Sequence, residues 1–235
     1  MIVGVLAERS GGERRVALIP ETVARLAAKG IEVHIEAGAS AAAHISDEDY
    51  RRSGAKIESA PAALLAAADV LVKIGAPALS EIDGLPAGAV LICPLFARLN
   101  PEAAARLAAR SITAIALENL PRTTAAQAMD VLSSQSTAAG YRAVIVAANA
   151  LAKFFPMLMT PAGTIAPARV LVIGAGVAGL QAIATAHRLG AVVEAFDVRP
   201  AVREEVESLG AKFITAEIDE AAGTAEGYAR ALSER

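Results

Sequence analysis

From Met1 to about Leu120, short runs of β-branched and aliphatic residues alternate with alanine-rich stretches whose apolar positions recur at helical spacing. This is the pattern of a parallel sheet with crossover helices. It predicts strands over Ile2–Leu6, Glu32–Glu36, Val70–Ile74, Ala89–Cys93 and Ile112–Leu117. Proline and glycine place the helices between them. Pro20 opens one that Gly30 closes, Pro61 precedes Ala62–Ala68, and in Asn100-Pro101-Glu102 the asparagine suits an N-cap and the proline the first helical position.

Beyond Pro121, the stretch Thr123–Phe155 reads as one long helix interrupted at Gly140, placed to bridge two domains. Pro156, Pro161, Gly163 and Pro167 then give a junction loop. From Arg169 the pattern is strand Val170–Ile173, helix Val177–Leu189, strand Val192–Phe196, helix Ala201–Leu209 and a strand over Lys212–Ile214, which is one βαβαβ half of a doubly wound domain. The polar, glycine-containing stretch Ala216–Arg235 follows, with no second half. The expected fold class is therefore α/β in two domains. A flavodoxin-like or Rossmann-like parallel domain spans 1–121, a linking helix and junction loop 122–168, and the first half of a Rossmann domain 169–235.

Composition narrows the function classes. The 235 residues are 54% hydrophobic and 20% charged, enough apolar material for a substantial core. About a quarter are alanine, which favours helices packed closely on sheets. Mean hydropathy is +0.46, yet runs such as Ala143–Ala152 and Val170–Gly176 fall well short of the roughly 20 residues that a membrane span needs. No direct span is expected. A formal charge of −3 without Lys/Arg runs excludes nucleic acid as a partner. Cys93 has no second cysteine to pair with and Met1–Arg9 lacks a signal peptide, so a reducing, cytoplasmic compartment is expected. His34, His44 and His187 stand far apart without metal-ligand spacing, and no metal is expected.

One motif carries chemistry by its context. Gly174-Ala175-Gly176-Val177-Ala178-Gly179 matches G-x-G-x-x-G, follows a β-branched strand, opens an apolar-faced helix, and is followed eighteen positions after Gly179 by Asp197 at the end of the next strand. Gly174 permits the tight turn, Gly176 lets backbone amides approach a pyrophosphate, and Gly179 lets the helix pack on the strand. The free N–H groups at the start of the helix, around Ala175 and Val177, favour the phosphates. Asp197 is placed to accept hydrogen bonds from the adenine-ribose hydroxyls and to repel a 2′-phosphate, so NAD(H) is the expected cofactor. Val198 and Arg199 adjoin it, and the arginine softens the preference. Thr124-x-x-Gln127 admits a plainer reading by spacing alone: a capping box, with Gln127, Asp130 and Ser133 on a solvated helix stripe.

Several stretches together resemble the NAD(H)-binding alpha subunits of proton-translocating NAD(P) transhydrogenases, a family related to the alanine dehydrogenases. They are Gly12–Pro20, Pro121–Asp130 with Leu132–Gln135 and Ala139–Ala143, Phe155–Thr160, the fingerprint with its helix, and Ala195–Pro200. The resemblance covers essentially the whole chain. It implies that Arg122, Gln127, Asp130 and Ser133 line the nicotinamide site, and that Gly227 and Tyr228 belong to a mobile loop closing over NAD(H). It also implies NADP(H) on a partner domain, membrane subunits that couple hydride transfer to proton translocation, pairing into a homodimer, and a peripheral place on the cytoplasmic face of the inner membrane. The chain alone is expected not to catalyse the reaction. Two alternatives remain: a truncated, non-catalytic NAD-binding module of the same fold, and an amino-acid dehydrogenase like alanine dehydrogenase. Arg15 and Lys73 match the residues that grip the substrate carboxylate in that enzyme, but Phe96 stands where it places a proton-transferring histidine, and phenylalanine transfers no proton.

Overall fold

The computed structural model describes residues 1–121 and 123–215, and the chain divides into two units, Met1–Asp130 and Val131–Arg235. In the first unit the elements follow as β1 (Ile2–Val5), α1 (Pro20–Ala27), β2 (Glu32–Glu36), α2 (Asp47–Arg52), β3 (Lys56–Glu58), α3 (Pro61–Ala67), β4 (Val70–Val72), α4 (Leu79–Gly84), β5 (Val90–Cys93), α5 (Pro101–Ala109) and β6 (Thr113–Ala116). The six strands are all parallel, in the order β3-β2-β1-β4-β5-β6. The winding reverses between β1 and β4, the switch point of a doubly wound sheet.

Alternation along β1 builds a core on each face. Val3 and Val5 pack with Val23 of α1, Val33, Ile35 and Tyr50 of α2. Leu6 joins the opposite cluster of Leu64, Leu65, Leu71, Ile82, Leu91 and Leu107, contributed chiefly by α3, α4 and α5 with the strands between them. Gly4 faces this second side, where a Cβ would lie 2.8 Å from Leu64 Cδ2, so α3 sits directly on β1.

The second unit comprises α6 (Val131–Ala150), the antiparallel hairpin of β7 (Leu158–Thr160) and β8 (Gly163–Ile165), then β9 (Arg169–Ile173), α7 (Val177–Arg188), β10 (Val192–Phe196), α8 (Arg203–Ser208) and β11 (Lys212–Ile214). Its parallel sheet runs β11-β10-β9. Val193, Ala195 and Phe213 face a core closed by Val144 of α6, Ile183 of α7 and Val206 of α8. On the other face Leu171, Ile173 and Val192 are exposed, Ile173 at 77%.

Several expectations are corrected. The long helix does not run from Thr123 to Phe155: it spans Val131–Ala150 and packs against α7 inside the second unit, after a separate 3-10 turn at Gln127–Met129. Asp130, which ends the turn, breaks the two with φ −75° and ψ 89°, outside the helical region. The predicted Thr124 capping box is accordingly not formed; Gln127 N–H donates instead to the Thr123 carbonyl. Asn100 likewise gives no side-chain cap, its amide being spent on the preceding loop. Strand β3 and helices α2 and α4 were not anticipated, since three to six residues carry too little periodicity. The junction loop folds partly into the β7–β8 hairpin.

Gly140, read from sequence as an interruption, is a contact point. A Cβ there would come within 2.1 Å of the Ala178 carbonyl oxygen on α7. Helix propensity alone would favour alanine over glycine by about 1 kcal/mol. Gly140→Ala should nonetheless destabilise the protein by about 1–3 kcal/mol in urea denaturation, because backbone cannot yield as a side chain can. An unchanged or raised midpoint would contradict the α6–α7 packing.

Candidate functional site

The glycine motif forms the turn between β9 and α7, at the carboxyl end of the sheet. Gly174 has φ +94°, open to glycine with little cost, and its N–H donates to the Phe196 carbonyl at 2.7 Å. Gly179 is required for a different reason: a Cβ would sit 1.8 Å from the Gly174 carbonyl oxygen. Gly176 meets neither demand. Its backbone is extended, it is exposed, and a Cβ there would meet nothing within 4 Å. Among the described residues a missing side chain at Gly176 thus serves no contact, and leaves open the approach to the first turn of α7. Helix α7 is 12 residues long with no side-chain cap on its first N–H groups, an arrangement suited to the pyrophosphate of a dinucleotide. Ala175 is buried at 1% exposure, whereas Val177 is exposed.

Asp197 follows β10 and is itself nearly buried, at 8% exposure. Its Oδ2 accepts the Ala175 N–H at 2.7 Å, tying the end of β10 to the glycine turn after β9. Its Oδ1 accepts the Arg199 backbone N–H at 2.8 Å and Nε at 3.0 Å, and Arg199 Nη2 reaches Oδ2 at 3.0 Å. Val198, between them, is half-buried. Burial pushes the Asp197 carboxyl upward, but the Arg199 side chain and the two backbone N–H groups outweigh it, holding its pKa below the ordinary value. The sequence placed Asp197 correctly at a strand end but did not show that Arg199 grips it. The signal was present in the Asp-x-Arg spacing.

The residues assigned to the nicotinamide site divide between the units. Gln127 lies exposed on the 3-10 turn and Asp130 is half-buried at the end of the first unit; Ser133 is half-buried in the first turn of α6. Arg122, Gly227 and Tyr228 lie outside the described residues.

The positions bearing on the amino-acid dehydrogenase alternative lie in the first unit. The Lys73 ammonium is buried between Glu81 at 3.1 Å and Glu8 at 3.5 Å, and Arg15 pairs with Glu13 at 2.6 Å. That arginine holds the Glu13 carboxyl down to about 2. Both cations are thus engaged by internal carboxylates. Phe96 is 42% exposed with φ +45°, an unusual conformation for a bulky residue. Its loop is fixed by Glu118, whose carboxylate accepts the N–H groups of Phe96 at 2.7 Å and Leu95 at 2.9 Å, and by the Asn100 side chain donating to the Leu95 carbonyl at 2.9 Å. Glu118 escaped sequence reasoning because nothing in its spacing marks it.

Comparison with known proteins decides the family. The model for the alanine dehydrogenase/PNT N-terminal domain matches residues 4–139 and that for the C-terminal domain residues 143–232. The chain belongs to the alanine dehydrogenase/PNT family. It is 52% identical to an NAD(P) transhydrogenase subunit alpha chain of Rhodospirillum rubrum, over 100% of this chain and 63% of that protein. Alanine dehydrogenase of Mycolicibacterium smegmatis is 35% identical over 84% of this chain and 54% of its own length. Among solved structures, transhydrogenase from Sinorhizobium meliloti superposes with a TM-score of 0.88 at 49% identity, covering 92% of this chain and 64% of that one. The chain thus spans between about half and two thirds of the length of these relatives. The two-domain α/β architecture with Rossmann-like sheets is the one its sequence pattern predicts. Among the described residues no helix is long and apolar enough to cross a membrane.

Asp197 gives an acid-stability test. Because its pKa is lowered in the fold, its contribution is complete above the unfolded value of about 4 and is lost as pH falls through the lower folded value. Asp197→Asn should cost about 1–3 kcal/mol at pH 7. It should also flatten the loss of stability below about pH 4, measured by urea midpoints across pH 2–7. Parallel acid limbs in the two proteins would contradict the tie.

Proposed function

We propose that the chain is the NAD(H)-binding part of an NAD(P) transhydrogenase alpha subunit, presenting its dinucleotide for hydride transfer to or from NADP(H) held on a partner domain. The observation that carries this is the glycine turn, in which Gly174 and Gly179 are demanded by the fold while Gly176 leaves the start of α7 open beside a buried, ionised Asp197. The greater identity to the transhydrogenase subunit than to alanine dehydrogenase supports the same choice.

In this mechanism Gly174, Ala175, Gly176 and Val177 supply backbone to the pyrophosphate, Gly179 keeps α7 close, and Asp197 recognises the adenine ribose, with Val198 and Arg199 flanking it. Arg122, Gln127, Asp130 and Ser133 orient the nicotinamide end, and Gly227 and Tyr228 close over it. Bound NAD(H) supplies the hydride chemistry, so these side chains align and desolvate without having to act as acid or base. In the whole complex the transfer is coupled to proton translocation by membrane subunits. The chain sits as a homodimer on the cytoplasmic face, held there by those partners, and does not turn over alone.

A non-catalytic NAD(H)-binding module of the same fold is the second reading. An amino-acid dehydrogenase is disfavoured by Phe96, which has no proton to give, and by the carboxylates already engaging Lys73 and Arg15.

Calorimetric titration should show NADH binding at least about tenfold tighter than NADPH. Equal affinities would remove the role given to Asp197. In a system reconstituted with the NADP(H)-binding partner, Gln127→Ala should slow hydride transfer by roughly 10- to 100-fold while leaving NADH affinity within about threefold. An unchanged transfer rate would sink the assignment of Gln127 to the nicotinamide site.

A further inference from the structure

A carboxylate offers about four acceptor positions, and at Asp197 all four are in use. Oδ1 takes the Arg199 backbone N–H and Nε; Oδ2 takes the Ala175 N–H and Arg199 Nη2. The two backbone donors are fixed, one by the glycine turn and one by the loop after β10. The two guanidinium donors ride on a side chain that can leave. A ribose offers two hydroxyls, the same number of donors that the guanidinium contributes. Ribose and guanidinium therefore compete for the same two positions on one carboxylate.

We propose that Arg199 is a latch on the ribose-recognising carboxylate: in the free protein it occupies the acceptor positions of Asp197 that the adenine ribose requires, and NAD(H) must displace it to bind. This rests on the assignment of NAD(H) to the glycine turn. The latch adds two side-chain donors to the two backbone N–H groups on a nearly buried carboxylate, keeping it fully hydrogen-bonded when no dinucleotide is bound. Glu205 on α8 is near enough to favour the Arg199 charge and gives the displaced guanidinium a second acid to approach. The displaced group also stays tethered two residues from Asp197. There it offsets part of the repulsion that Asp197 exerts on a 2′-phosphate, so Arg199 weakens NADH binding and blunts discrimination against NADPH together. Arg199 is in this sense a positioning and specificity-determining residue.

The test is calorimetric titration of NADH and NADPH into the chain and its Arg199→Gln, Arg199→Lys and Asp197→Asn variants, with the Arg199 side-chain Nε–H followed by NMR. Arg199→Gln should bind NADH roughly three- to tenfold tighter and raise the NADH-to-NADPH preference, since it removes one partly buried ion pair that binding must otherwise break. Arg199→Lys, which keeps the charge but cannot bracket both oxygens, should fall between it and the wild type. The Nε–H should be protected from exchange in the free protein and lose that protection at saturating NADH. Equal or weaker NADH binding by Arg199→Gln, with wild type binding and Asp197→Asn impaired, would overturn the latch while leaving the NAD(H) site in place. If Arg199→Gln does not fold, an Nε–H that stays protected at saturating NADH overturns the latch on the wild-type protein alone. Failure of the wild-type chain to bind NADH overturns the site and the latch with it.

Discussion

A carboxylate placed just beyond one strand and accepting the backbone N–H of a neighbouring strand's loop is the constraint on which both units depend. Asp197, after β10, holds Ala175 in the turn after β9. In the first unit Glu36, at the end of β2, accepts the N–H of Ala7 after β1, and Glu8 accepts that of Ile74 after β4. Glu118, beyond β6, accepts those of Leu95 and Phe96 after β5. Parallel strands end at one rim, where each loop leaves N–H groups that no ladder satisfies. An acid from the adjacent strand is the nearest acceptor, and a charged acceptor makes a stronger bond than a neutral one. The rim where ligands bind in doubly wound folds is thereby held in shape by carboxyl groups that are themselves partly buried.

Close approach of backbones is the second theme, and it explains the alanine and glycine content. In the second unit Gly140 lets α6 approach the Ala178 carbonyl, and Gly179 lets α7 approach the Gly174 carbonyl. Sheet, α7 and α6 are stacked at distances that admit no side chain at these points. The core between them is accordingly built from Ala175, Ala186, Ala191 and Ala195 around a few larger residues such as Ile183 and Phe213. The first unit uses larger aliphatics, and there Gly4 beneath Leu64 performs the same service once.

Seen together, these features separate positions that serve the fold from positions that serve a ligand. Gly174 is accounted for by its positive φ, and Gly179 and Gly140 by close backbone contacts within the second unit. Gly176 is not, and neither is the exposure of Gln127 on a short turn. Lys73 and Arg15, which the family relationship to alanine dehydrogenases marks as candidate substrate ligands, are engaged by Glu8, Glu81 and Glu13. Asp197 belongs to both classes under the proposed function, since it braces the turn and is the acid proposed to read the ribose. That double duty makes the behaviour of Arg199 consequential.

The sequence by itself determined the parallel α/β class, most strands of both sheets, the glycine turn, the acid after β10 and the family, because each is written in local periodicity or in a fixed spacing. Strands β2, β10 and β11 fall where the pattern put them. It did not determine where the helix after Pro121 begins, since Thr123–Asp130 has no strong breaker and only the break at Asp130 separates the 3-10 turn from α6. Nor could it assign that helix to the second unit, which depends on Gly140 meeting a carbonyl 38 positions later in the chain. The bond from Ala175 to Asp197 and the partners of Lys73 and Glu118 were likewise decided only by tertiary structure. Hydrogen bonds and ion pairs between distant residues depend on which loops meet at the rim of a sheet, and that meeting is a property of strand order, which local sequence does not encode.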